Sequence, residues 1–278
     1  MSAIRNETTP KLWLNAHAFA EHVLCAGRNL AWENEIEFAA QYKRLAGIVQ
    51  ADRLSIPLMG FLDNWLLRNS HVLPSMAGKN RVRFAVKRLL TNSALREELT
   101  QLVSACCAMV DAEVVLEIPS NTALISWAHL RANPNAHLDP LSDVDIDSTS
   151  VYLADTVRQL KHTGIAGIVA TVAEQDIAAS ALLEHYQPLI NVAENYRWLF
   201  AFRKPIAAIN GFSAGKWHCL GDDRASDADD LKSLPADFWR EATPHPATQG
   251  GMWYYSELPA FVEPEVVRGT IAKLKLHS

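Results

Sequence analysis

The residues best suited to chemistry fall into three groups. The first is Glu117-Ile118-Pro119-Ser120-Asn121, a carboxylate near the end of an apolar, β-branched run. Taking a carboxylate out of water is costly unless it is paired or protonated, and the same desolvation raises its pKa toward general-acid use. Its structural alternative is a salt bridge to an arginine in the wall of the fold. Asn121, just beyond, is a candidate to bind substrate.

The second group is Gly211 to Arg224, read as one loop, where Lys216, Trp217, His218, Cys219, Asp222 and Asp223 accompany glycines at 211, 215 and 221. His218 is the proton carrier of choice near neutral pH, Asp222 or Asp223 would orient it, and Trp217 would line a substrate pocket. As a metal site the loop is weaker, because adjacent His and Cys make an awkward chelate and no cysteine follows Cys219. A surface loop without a catalytic part is the plain alternative. The third group is Tyr196-Arg197-Trp198 with Arg203. Arg203 is placed to grip a substrate carboxylate in bidentate fashion or to pair with Glu117, and Tyr196 is a second substrate-binding candidate. His17, His129 and His137 read as structural histidines. The chain carries no Gly-rich phosphate loop, nucleophile elbow, Ser/His/Asp signature or zinc helix.

Positioning these groups requires strands that end together. Glu113 to Ile118 and Ile165 to Val172 read as strands buried on both faces, and 147–163 reads as a helix capped by Asp147/Ser148 and stopped at Gly164. Together they make a βαβ unit over 112–172, hence parallel pairing through a right-handed crossover. A helix is predicted over Glu33 to Val49, a strand over Leu54 to Gly60, and helices over Asn80 to Asp111 with a break at Asn92-Ser93, where Cys106 packs in the core. Ala179 to Asn195 reads as a helix, Trp198 to Phe202 and Gly251 to Tyr255 as strands, and Glu263 to Leu274 as a closing helix. The expectation is one α/β domain over 1–278, a TIM-like (β/α)8 barrel, incomplete or distorted, with residues 1–50 as a helical segment packed on it.

Composition narrows the function classes. A hydrophobic share of 49% and a charged share of 21% describe a globular chain, and a net charge of −5 argues against a nucleic-acid partner. The basic stretch Lys79 to Arg88 reads as the solvated side of a helix. Four irregularly spaced cysteines fit reduced thiols, and neither an apolar signal core nor a membrane-length apolar run is present. A cytoplasmic protein without membrane association is expected.

Val115-Leu116-Glu117-Ile118-Pro119-Ser120, Leu124 to His129, Tyr152-Leu153-Ala154-Asp155, Pro188 to Trp198 and Tyr254 to Ala260 resemble the superfamily uniting uroporphyrinogen decarboxylase with cobalamin-independent methionine synthase. The resemblance covers about half the chain. It implies a TIM barrel that either decarboxylates or moves methyl groups to thiols on a zinc held by His and Cys. Trp217 to Gly221 resembles the zinc strand, with His218 and Cys219 adjacent instead of one residue apart and no second cysteine. The leading expectation is a metal-independent lyase, decarboxylase-like, that needs no cofactor. In it Arg203 binds a small organic acid, Glu117 or His218 handles protons, and Asp222 orients His218. The alternatives are a zinc-dependent methyltransferase using His218 and Cys219, and a non-catalytic barrel that binds a small molecule or a partner protein. The sequence leaves open a homodimer or a partner subunit completing the site.

Overall fold

A computed structural model describes residues 9–79, 81–138, 140–172, 182–203, 218–220, 231–234, 236–239 and 251–276. Its centre is one sheet of eight strands in the order β6-β5-β4-β3-β2-β1-β8-β7. These are β1 (Lys11–Asn15), β2 (Arg53–Pro57), β3 (Glu113–Ile118), β4 (Gly167–Thr171), β5 (Leu199–Arg203), β6 (His218–Leu220), β7 (Leu231–Ser233) and β8 (Trp253–Glu257). Every pairing is parallel.

The sheet is strongly curled. From β5 through β4, β3, β2 and β1 to β8 is five strand steps, about 24 Å if the sheet were flat at ~4.8 Å per step. Arg203 on β5 nevertheless bonds Glu257 on β8 at 2.7 Å. The curl divides the apolar residues into two cores. Leu12, Leu54, Leu116, Ile168 and Phe202 point outward into the large core shared with the helices. Trp13, Val115, Val169, Ala201, Leu231 and Tyr255 form a separate inner cluster. Successive strand residues face opposite sides, and the two sets alternate accordingly.

The helices are α1 (His17–Cys25), α2 (Glu35–Val49), α3 (Leu58–Arg68), α4 (Leu73–Met76), α5 (Val82–Leu90), α6 (Ser93–Met109), α7 (Asn121–Ala132), α8 (Asp143–Val157), α9 (Leu182–Tyr196) and α10 (Pro264–Leu276). Their ends follow local chemistry. The side chains of Asn34 and Asn92 accept from Glu37 N and Leu95 N, capping α2 and α6. Ser142 and Asp145 form a capping box on α8. Gly164, at φ +87°, turns the chain into β4. Among the described residues no helix is long and apolar enough to cross a membrane.

Several expectations need correction. Residues 1–50 do not form only a helical segment, because they contain β1, hydrogen-bonded between β2 and β8. The strand expected over 54–60 ends at Pro57, and α3 follows at once. Proline is tolerated there because a strand's last residue and a helix's N-cap both do without its N–H. The helix expected from Asp147 begins at Asp143 under the Ser142 cap and passes into a 3₁₀ turn at Arg158–His162. The crossover between β3 and β4 contains α7 as well as α8. The basic stretch behaves as expected: Lys87 and Arg88 are exposed on α5 while Val86 and Leu89 are buried.

Gly167 supplies a test of the sheet. A Cβ there would lie 2.5 Å from the Leu199 carbonyl oxygen and 2.6 Å from Leu199 Cβ, its register partner on β5. The substitution Gly167→Ala is expected to destabilise the protein by about 1–3 kcal/mol, the usual cost of overpacking a closed core. Urea unfolding measures it, and an unchanged midpoint would contradict this β4–β5 approach.

Candidate functional site

The curled sheet has a layered interior. At the strand starts, the Arg53 guanidinium stacks between the Trp13 and Trp253 rings, 4.7 and 4.0 Å from their centroids, and pairs with Glu113 at 2.5 Å. The middle layer is the apolar inner cluster, where the Trp13 and Tyr255 rings meet edge to face at 5.7 Å. Two residues further along β1, β3, β4, β5 and β8, the same face carries Asn15, Glu117, Thr171, Arg203 and Glu257. Polar residues thus gather at the carboxyl ends of the strands, where sites form in parallel α/β folds.

Glu117 is the hub of this layer and is 8% exposed. Its Oε1 accepts from Arg203 Nη1 and from Thr171 Oγ1 at 3.3 Å, and its Oε2 accepts from Asn15 Nδ2 at 2.7 Å. Arg203 also turns Nε and Nη2 to Glu257 Oε1, each at 2.7 Å. Two carboxylates therefore share one guanidinium. Burial raises the Glu117 pKa above the ordinary carboxylate value, Arg203 opposes that shift, and Glu257 adds to it. Burial alone would lower Arg203, but Glu117, Tyr255 and Glu257 outweigh it and hold the guanidinium firmly protonated. The Tyr255 phenol is pushed up by burial against the pull of Arg203. Its hydroxyl lies beside Asn15 and has no hydrogen-bond partner among the described residues.

The helix that follows β3 continues the site. Ser120 Oγ caps α7 by accepting from Ala123 N at 3.1 Å. Asn121 N donates to Tyr186 Oη at 3.4 Å, and Tyr186 Oη donates to the Thr171 carbonyl at 3.3 Å. Tyr186, on α9, thereby ties the start of α7 to the end of β4. Asn121 is 1% exposed, and neither of its side-chain amide atoms has a hydrogen-bond partner among the described residues. Leaving such groups unmade costs about 1–3 kcal/mol each, so they are natural contacts for a bound molecule or an ordered water.

Of the predicted site residues, the structure brings Glu117 and Arg203 into direct contact and sets Asn121 four residues past Glu117, at the start of α7. Tyr196 lies elsewhere. It ends α9 and lines a surface groove of about 460 Å³ with Val151, Arg158, Pro188 and Asn195. His218 begins β6 and pairs its backbone with Ala201, so it sits on a strand and not in the expected loop. Trp217 and Asp222, with most of the 211–224 cluster, lie outside the described residues. Among the described residues no group of three or more His, Cys, Asp or Glu side chains is arranged to hold a metal. His17 and His129 each keep a buried Nδ1 without a hydrogen-bond partner among the described residues, and His137 is exposed.

Sequence reasoning missed Asn15, Thr171, Tyr186, Tyr255 and Glu257. A signal existed for three of them. Leu-Trp-Leu-Asn, Ile-Val-Ala-Thr and Tyr-Tyr-Ser-Glu each close a strand with a polar residue two places after an inward one. No family model, curated protein or solved structure matches the chain.

The ion pair makes a pH-dependent prediction. Because the folded-state pKa of Glu117 is raised, its contribution to stability is fully present below the unfolded value and is lost as pH rises through the folded one. Arg203→Met leaves the ionised carboxylate buried without its cation, at an expected cost of about 3–5 kcal/mol near neutrality. That deficit should shrink as acidification protonates Glu117. Urea unfolding of both proteins at mildly acid and mildly alkaline pH measures the difference, and a deficit independent of pH would refute the charge argument.

Proposed function

We propose that the chain is a (β/α)8-barrel enzyme of lyase type, acting on a small organic acid at the carboxyl end of its strands. The observation that carries this reading is Glu117, a buried carboxyl with a raised pKa, held from three strands by Asn15, Thr171 and Arg203. Closure of the barrel is part of the proposal. The eight parallel strands run in barrel order, and β6 and β7 are the two ends that must meet.

In this reading Arg203 holds the acid's carboxylate, and Glu117, whose pKa burial raises, takes up a proton from solvent and gives it to the carbon that loses its bond, the electron pair of the broken bond receiving it. Such acid catalysis contributes about 10²–10⁴-fold, and fixing the acid against the proton donor contributes through orientation. The Asn121 amide supplies a donor and an acceptor for a second polar group of the substrate. His218 remains a candidate for a second proton step.

The test is a panel of short 2-oxo, 2-hydroxy and dicarboxylic acids, assayed for carbon-bond cleavage by product analysis. Turnover of at least one acid is expected, reduced more than tenfold in Glu117→Gln and in His218→Ala, with circular dichroism reporting an intact fold. No turnover of any acid, or full activity in Glu117→Gln, would overturn the proposal. Stoichiometric zinc in the purified protein, with methyl transfer to a thiol, would replace it by the methyltransferase reading.

A further inference from the structure

We propose that Glu257 is a displaceable stand-in for the substrate's carboxylate, occupying the binding edge of Arg203 until the substrate takes its place. The inference rests on the reading that Arg203 receives a small organic acid. It adds how the site is kept when empty and what an acid must do to enter.

The geometry distinguishes the two carboxylates on Arg203. Glu117 is buried, with a side chain 9% exposed, and is also held by Asn15 and Thr171. Glu257 has a side chain 56% exposed, and Arg203 is its one partner among the described residues. Nε and Nη2 form the fork that matches the two oxygens of a carboxylate, yet here both converge on the single oxygen Oε1. That edge is occupied but half used. An exposed ion pair contributes little net stability, so releasing Glu257 costs little, and an incoming carboxylate can place one oxygen on each nitrogen.

Two further features favour exchange. Replacing one carboxylate by another leaves the net charge on that edge of Arg203 unchanged, so Glu117 keeps its electrostatic environment. The motion is confined to a side chain, because β8 is held against β1 through the Glu257 and Asn15 register and by Leu258 N donating to the Asn15 carbonyl at 2.9 Å. The exchange also sets the distance to Glu117. A carboxylate on the Nε/Nη2 edge lies on the far side of one guanidinium from Glu117, about 6–7 Å away when two hydrogen-bond lengths are added to the span of the guanidinium.

Malonate is the probe, with its dissociation constant measured by NMR titration on the full chain. Glu257→Gln removes the charge, and Glu257→Asp keeps the charge but shortens the reach by one methylene. Displacement predicts that both variants bind malonate at least fivefold tighter than the parent, and that Arg203→Lys in the Glu257→Gln background abolishes the gain. Tightening in Glu257→Gln alone would reflect local charge and overturn the inference. Arg203-dependent binding unaffected by either substitution would overturn it while leaving the carboxylate site standing. Absence of Arg203-dependent binding in every variant would remove both.

Discussion

A carboxylate and a guanidinium brought out of water together each lose several kcal/mol of hydration, and the fold must return that through geometry. Here the return is distributed. Glu117 receives Arg203 from β5, Thr171 from β4 and Asn15 from β1, so its two oxygens are served from three strands. Such convergence requires the strands to end at one level on the inside of a tightly curled sheet. The curvature and the ion pair are therefore one constraint: the sheet brings the donors together, and the buried charges tolerate no arrangement that separates them.

The two ends of the curled sheet carry charge in different ways. At the strand starts Arg53 is packed between two indole rings and closed by Glu113, an arrangement that covers apolar surface while satisfying a cation. At the strand ends the polar groups remain incompletely satisfied, as the Asn121 amide and the Tyr255 hydroxyl illustrate. Proteins seldom leave such groups unmade without reason. One end satisfies its cation in full, and the other leaves these polar side chains without hydrogen-bond partners among the described residues.

Much of this was legible in the chain. The β-branched runs at 113–118 and 165–172 marked β3 and β4, and Glu117 stood out because a carboxylate in such a run must be accounted for. Its partnership with Arg203 was foreseen as one of two roles for that arginine. β1 was not seen, because Lys-Leu-Trp-Leu-Asn is five residues long and carries its inward tryptophan on an otherwise helical stretch of chain. Glu257 was missed for a different reason: the strand was predicted to stop at Tyr255, two residues before the carboxylate appears. Tyr196 was misplaced because closeness in sequence to β5 puts it at the strand's start, the opposite end from Arg203.

The filled middle layer has a consequence for traffic. Trp13, Val115, Val169 and Ala201 are each at most 1% exposed, and beneath them lies the Arg53 stack. No through-passage is left past these residues, so the polar layer sits on a floor. Under the proposed function, a molecule that binds at Glu117 therefore comes and goes on the strand-end side alone, and a product must leave that side before the next substrate takes its place.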